Sequence, residues 1–243
     1  ETYFAQIKKA LENVSTAEKA ESTRRYFPDG INCIGATAPD IKLIIKEFHT
    51  AYPQLTATEM LGLTEYMLEQ AEFSEEILVA YGLINKFVKK NYEDDLLLRF
   101  EFWLENYATN WALVDDLCMK TIYQFLMGRP HLIEETAHWA YSKVSWCRRA
   151  SNVVWVKFIK RKIGKSIYYL DKTLVFKNCD LLIGDADPYV QKSVGWLLKA
   201  TSLHHEADVI TYIQNNFDKM ERSTIRYAIE KLDATTRKGL LRG

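Results

Sequence analysis

The sequence predicts an all-α fold of antiparallel helix pairs stacked in one dimension, an α-solenoid. Three observations carry this. Only ten Gly and five Pro punctuate 243 residues, too few for the turns of an all-β chain of that length. No strand-like alternation of apolar and polar residues is sustained. Helix-start signals recur at short intervals, leaving many helices of about 10–18 residues joined by short links. A helix pair of that size cannot bury its apolar face alone, so its neighbours complete the core. No consensus recurs at a fixed period, and a compact helical bundle is the competing architecture.

In chain order, the predicted helices run over 2–13, 16–26, 39–51, 56–70, 74–91, 93–107, 110–128, 131–142, 145–163, 165–177, 187–203, 205–217, 221–232 and 234–240. The second and fourth begin at Ser15-x-x-Glu18 and Thr56-x-x-Glu59. Both are capping boxes, in which side chain and backbone satisfy each other's orphan donors. Ser74 followed by Glu75 and Glu76 puts negative charge on the N-terminus of the fifth, where the helix dipole favours it. Asp187-Pro188 is an N-cap followed by proline at the first helical position. Val175–Gly184 has the weakest helical pattern. No linker rich in Pro, Gly or Ser interrupts the chain, so a single domain over 1–243 is expected.

The composition, 48% apolar and 26% charged, supplies ample residues for a core. No apolar run approaches the ~18 residues of a membrane span, and Glu1-Thr2-Tyr3-Phe4-Ala5-Gln6 lacks the basic-then-apolar layout of a signal peptide. Cys33, Cys118, Cys147 and Cys179 stand far apart, with no CxxC pair and no His at ligand spacing. Buried thiols in a reducing cytoplasm, and no metal, are the expectation. His204 and His205 are adjacent, which suits no fixed metal site. Net charge is zero, but its distribution is uneven. Residues 1–120 hold 12 Lys/Arg against 20 Asp/Glu, giving −8, and residues 121–243 hold 20 against 12, giving +8. Such asymmetry points to nucleic-acid or membrane contact; a solvated helix face is the competing reading.

The common nucleotide, protease and esterase signatures are absent: the chain has no GxGxxG, Walker loop, HExxH or GxSxG. What remains is aromatics beside charges. Trp111 and Asp115 are four apart, hence ~40° apart around a helix and on one face. Leu113 and Leu117 cover the opposite, core-facing side, with Val114 at its flank. An indole beside a carboxylate on a solvent-side face suggests a binding surface, although a lone Trp is more often core. Trp146-Cys147-Arg148-Arg149 opens a basic helix, on which Arg149 and Lys160 lie ~20° apart and Lys157 ~80° from Arg149. Trp196 falls at the flank of the Val190–Val194 stripe.

Several segments resemble, in the same order, the AlkD-like family of DNA alkylation-repair proteins. Tyr26-Phe27-Pro28 with Gly35 and Pro39 resembles its N-terminal signature, and Trp111-x-x-x-Asp115 its Trp–Asp motif. Trp146-x-Arg148-Arg149 with Lys157 is similar to its arginine-bearing helix, and Gln191-Lys192-x-x-Gly195-Trp196 to its second active-site tryptophan. Ser223-x-x-Arg226-x-Ala228-Ile229 is only loosely similar to its last helix.

The resemblance implies a HEAT-like superhelix with a concave face for duplex DNA. It implies a monofunctional glycosylase for alkylated purines that works as a monomer without cofactor, metal or membrane. Asp115 would be the anion facing the deoxyribose, with Trp111 and Trp196 as two aromatic walls converging with it on one open cleft. Arg149 would bind phosphate and keep Asp115 ionised, and Lys157 would hold backbone phosphate. Tyr26 would touch the lesion side. Lys143, Arg148, Arg149, Lys157 and Lys160 would line the groove, with the N-terminal carboxylates outside it. Asp116 is expected to face solvent or cap a neighbour. Two alternatives stay open: a non-catalytic relative that binds damaged or branched DNA, and a protein-interaction scaffold.

Overall fold

A computed structural model describes residues 2–242. The fold is predominantly helical with repeated helix pairs, the architecture of an α-solenoid. The chain forms two compact units, Glu1–Gly128 and Arg129–Gly243.

The first unit contains α1 (Thr2–Val14), α2 (Ala17–Arg24), α3 (Ala38–Ala51), α4 (Ala57–Gln70), α5 (Ser74–Ile84), α6 (Leu96–Asn106) and α7 (Trp111–Asp116). A π-helical segment, Leu117–Ile122, continues α7 into α8 (Tyr123–Met127). α1 buries Phe4, Ile7 and Leu11, one face at helical spacing. It packs on α3, which buries Ile41, Ile44 and Phe48. α5 is different, being buried at every residue except Leu78, with α1, α3, α4 and α7 around it. Each large apolar side chain taken wholly out of water contributes about 1.5–3 kcal/mol, so α5 is the rigid centre of this unit.

Two local expectations shift here. Thr16, not Ser15, caps α2: Thr16 Oγ1 accepts from Lys19 N at 3.1 Å, while Ser15 Oγ donates back to Leu11 O at 2.6 Å. The helix expected over 74–91 ends at Ile84, and residues 85–90 form turns. There Asn85 Oδ1 accepts from Thr121 Oγ1 at 2.6 Å, which ties the turn to the π-helical segment. The Thr56–Glu59 capping box forms as expected.

The second unit opens with 3₁₀ turns, Pro130–Leu132 and Glu134–Tyr141, where an α-helix was expected. It continues with α9 (Ser145–Val153), a 3₁₀ turn Val156–Phe158, strands β1 (Lys160–Ile163) and β2 (Ser166–Tyr169), and α10 (Lys172–Leu182). It ends with α11 (Pro188–Ser202), α12 (Glu206–Asn216), α13 (Arg222–Ala228) and α14 (Ala234–Leu241). α11 is central, packed by α9, α10, α12 and α13, and Asp187 caps it through Tyr189 N at 2.8 Å.

The predicted helices 145–163 and 165–177 are corrected by the antiparallel β1–β2 hairpin. Its register pairs Lys160 with Tyr169, Arg161 with Tyr168, Lys162 with Ile167 and Ile163 with Ser166. Gly164-Lys165 is the two-residue turn. Ile163, Ile167, Tyr168 and Tyr169 are β-branched or aromatic and favour a pleated surface. Tyr168 anchors the hairpin against Phe158, ring centroids 6.2 Å apart. α10 then runs to Leu182, so much of the stretch that looked least helical is helix.

Candidate active site

In the first unit the site is built on α7. Asn110, 8% exposed, caps the helix by accepting from Leu113 N at 3.0 Å. Leu113, Val114 and Leu117 are fully buried, which leaves Trp111 and Asp115 half-buried on the opposite side, as their spacing requires. The Trp111 ring stacks on Phe27, centroids 5.1 Å apart and planes 14° apart. Its Nε1 donates to Tyr26 O at 3.3 Å, and the Tyr26 side chain is 71% exposed. A cleft of about 690 Å³ lies in the same unit, lined in part by Asp29, Asn32, Glu72, Ser74, Tyr107 and Asn110. One indole face is therefore fixed by packing, beside an exposed tyrosine ring.

Of the two places expected for Asp116, facing solvent or capping a neighbour, the first does not hold. Its side chain is 17% exposed and pairs with Lys120 at 2.7 Å. Burial pushes its carboxyl above the ordinary range, and the Lys120 hydrogen bond and charge oppose that shift. The cause is α5, which packs on both α7 and the π segment. The Asp116 charge reaches the buried Tyr81 hydroxyl of α5, which has no hydrogen-bond partner among the described residues.

In the second unit, α9 and α11 carry the expected residues. Arg149 is 5% exposed and its Nη1 donates to Tyr189 O at 2.7 Å, so it ties α9 to α11. Trp146 meets the Tyr189 ring at 5.3 Å. Trp196 is half-buried at the edge of the buried Val190–Val194 stripe. Gly195 beside it lets α13 approach: a Cβ there would lie 3.0 Å from Thr224 O. Arg148 is engaged within the unit, with Nε to Asp185 Oδ2 at 2.7 Å, Nη2 to Asp185 Oδ1 at 3.2 Å and Nη1 to Ser142 O at 3.1 Å. Such a bidentate fork is strong and directional.

Lys157 is half-buried in the 3₁₀ turn, while Lys143 and Lys160 are exposed. Lys160 does not share a helix with Arg149; it stands on β1. Directly paired residues share a face, so Lys160, Lys162, Ile167 and Tyr169 stand together. All four are exposed, and Lys160 Nζ lies 5.8 Å from the Tyr169 ring centroid. Sequence reasoning missed this cationic, aromatic face. The signal was Gly164-Lys165 set between Ile163 and Ile167-Tyr168-Tyr169.

Among the described residues no helix is long and apolar enough to cross a membrane, and no group of three or more His, Cys, Asp or Glu side chains could hold a metal ion.

The family model for DNA alkylation repair enzymes matches residues 7–232. No curated protein sequence matches the chain. The chain is similar to the solved structure of a predicted DNA alkylation repair enzyme from Enterococcus faecalis, with 16% identity and a TM-score of 0.77 over 90% of this chain and 97% of that one. It is also similar to Pseudomonas fluorescens alkylpurine DNA glycosylase AlkC bound to DNA containing an abasic site analog, with 16% identity and a TM-score of 0.42 over 83% of this chain and 65% of that one. The family match runs across both units and nearly the whole length, so the chain belongs to the AlkD-like family of DNA alkylation repair proteins.

Proposed function

We propose that this protein is a monofunctional DNA glycosylase that hydrolyses the N-glycosidic bond of cationic N3- or N7-alkylated purines in duplex DNA. The observation that carries the proposal is the solvent side of α7. Trp111 and Asp115 are presented together there, and the indole is already stacked on Phe27. Such a purine is positively charged before the reaction. When the C1′–N bond breaks, its electron pair goes to the base, which leaves neutral and needs no proton. Positive charge grows on the deoxyribose instead, and water adds at C1′ and gives up a proton. A carboxylate held at that place stabilises the growing charge and orients the water. Indole faces add cation–π attraction of about 0.5–2 kcal/mol each. Asp115 takes the first role, and Trp111 and Trp196 the second. Arg149 and the exposed lysines serve the phosphates, which position the duplex without reading sequence.

Arg149, to which the resemblance gives a phosphate, is only 5% exposed, which shifts phosphate contact toward the exposed lysines; a non-catalytic binder of damaged DNA would share that grip and lack only the chemistry. One experiment separates the two. A duplex carrying a single 7-methylguanine is incubated with wild-type protein and with Asp115→Asn, and the free base is measured. The glycosylase reading expects release by the wild type and a loss of about 10²–10³ in rate in the variant, the usual cost of one well-placed electrostatic partner. Retention of the duplex with no release by the wild type overturns it in favour of the binder.

A further inference from the structure

The loop between α2 and α3 carries Tyr26 and Phe27, yet its hydrogen bonds converge on the start of α5. Three consecutive backbone N–H groups point at one side chain. Ile34 N lies 3.0 Å from Glu75 Oε1, and Gly35 N and Ala36 N lie 2.7 and 3.1 Å from Glu75 Oε2. Glu75 is 4% exposed. A carboxylate accepts only, so successive backbone donors are its natural partners in an interior. Gly35 makes the turn possible: its φ is +105°, and a Cβ there would lie 2.3 Å from Thr16 O.

The neighbouring residue holds the other side of the site. Ser74 N donates to Asn32 O in the same loop at 2.8 Å. Ser74 Oγ accepts from Asn110 Nδ2 at 3.2 Å, and Asn110 is the cap of α7, directly before Trp111. The circuit closes where Trp111 stacks on Phe27 and donates to Tyr26 O. One rigid, almost wholly buried helix end therefore sets both the loop and the helix whose side chains meet at the indole.

We infer that Glu75 is a positioning residue: together with Ser74 and Asn110 it holds Trp111 and Asp115 in the attitude the reaction needs, without touching DNA. The inference rests on the glycosylase reading for its kinetic consequence, but not for its structural one. Glu75→Gln keeps the volume while turning an amide N–H toward backbone donors, so the loop loses part of its anchor. Asn110→Ser keeps a capping acceptor for α7 but cannot reach Ser74, and it decides the matter if Glu75→Gln fails to fold.

Two readouts are taken on each variant. The first is the indole Nε1–H resonance of Trp111, assigned with Trp111→Phe, and its exchange with solvent. The second is single-turnover release of 7-methylguanine at saturating duplex, alongside the DNA dissociation constant. The expected result is a shifted, faster-exchanging Trp111 signal and a release rate lower by about 10–100-fold, as misplacement on the ångström scale commonly costs, while DNA affinity holds. A merely structural carboxylate would lower the melting temperature but leave both the resonance and the saturating rate at wild-type values, and that outcome overturns the inference. If wild-type protein releases no base, the glycosylase reading fails by itself, and the Trp111 resonance still decides whether Glu75 positions the indole.

Discussion

The two units hold their candidate site residues by chemically different means. In the first, the anchor is a carboxylate: Glu75 gathers three loop N–H groups and leaves Tyr26 and Phe27 against Trp111. In the second, the anchor is neutral. Asn152 Nδ2 donates to Ser193 Oγ at 2.9 Å, and Asn178 Nδ2 donates to Asn152 Oδ1 at 2.6 Å and Ser151 Oγ at 3.1 Å. Asn152, Ser151 and Ser193 have no exposure and Asn178 has 2%. This network joins α9, α10 and α11 three residues from both Arg149 and Trp196. The difference follows from what each anchor must hold. A loop offers unpaired backbone N–H groups, which a carboxylate can gather. Mid-helix N–H groups are already used, so helices are tied by side chains that both donate and accept. The units also differ in charge: 12 Lys/Arg against 20 Asp/Glu in the first and 20 against 12 in the second. On the proposed reading, the acidic unit carries the reacting carboxylate and the basic unit grips phosphate.

Breaking the neutral anchor should cost stability directly. Asn152→Leu keeps the branched shape but leaves buried partners unsatisfied, so urea unfolding should show a loss of about 1–3 kcal/mol. An unchanged midpoint would mean that Asn178 and Ser193 find other partners and that the network is not what registers α9 on α11.

The basic character of the second unit is tested at the hairpin. Replacing Lys160 and Lys162 together by Ala should weaken duplex binding and reduce the slope of log K against log salt by about 1.8, since each phosphate contact contributes about 0.9. An unaltered slope would show that the exposed hairpin face makes no phosphate contact, leaving the grip to other basic residues.

The smallest effect concerns acid and falls on the helix cap that follows the Glu75-bound loop. Asp40 follows the Glu75-bound loop and closes the capping box of α3 with Thr37. Its carboxyl is held down to about 2 by the Thr37 N–H, then by Lys19 and the Thr37 hydroxyl. A depressed pKa stabilises the fold above the ordinary value of 3.8 and loses that contribution as pH falls through about 2. Protection of the Thr37 amide, taken relative to its intrinsic exchange rate, should therefore fall across that window in the wild type and be low and nearly flat in Asp40→Asn. The Asn152 network should show no corresponding change. A flat wild-type profile would show that the Asp40 carboxylate does not hold the cap of α3.

How much was legible varies with the range of the interaction. The α7 face could be read directly, because Leu113 and Leu117 against Trp111 and Asp115 is a helical pattern complete within seven residues. The caps at Thr56 and Asp187 were legible for the same reason. The choice of Thr16 over Ser15 was not: both bear hydroxyls, and a bond from Thr16 N to Gly35 O at 3.2 Å settles the backbone. The pairing of Arg148 with Asp185 was not legible, because the partner is 37 residues away. Asp116 looked solvent-facing because nothing local announces that α5 covers its flank.

By itself the sequence determined the helical class, most of the helix starts and the pairing of an indole with a carboxylate on one face. These depend on periodicity and capping, which act over one or two turns. Only the tertiary structure decided that residues 160–169 form a hairpin, since strands of four residues draw their stability from cross-strand pairs and from Phe158. The structure alone also decided that Glu75, readable as a carboxylate at a helix start, spends its oxygens on a loop about forty residues earlier. A buried acceptor takes whatever donors the fold brings to it, and a periodic pattern holds no record of which those are.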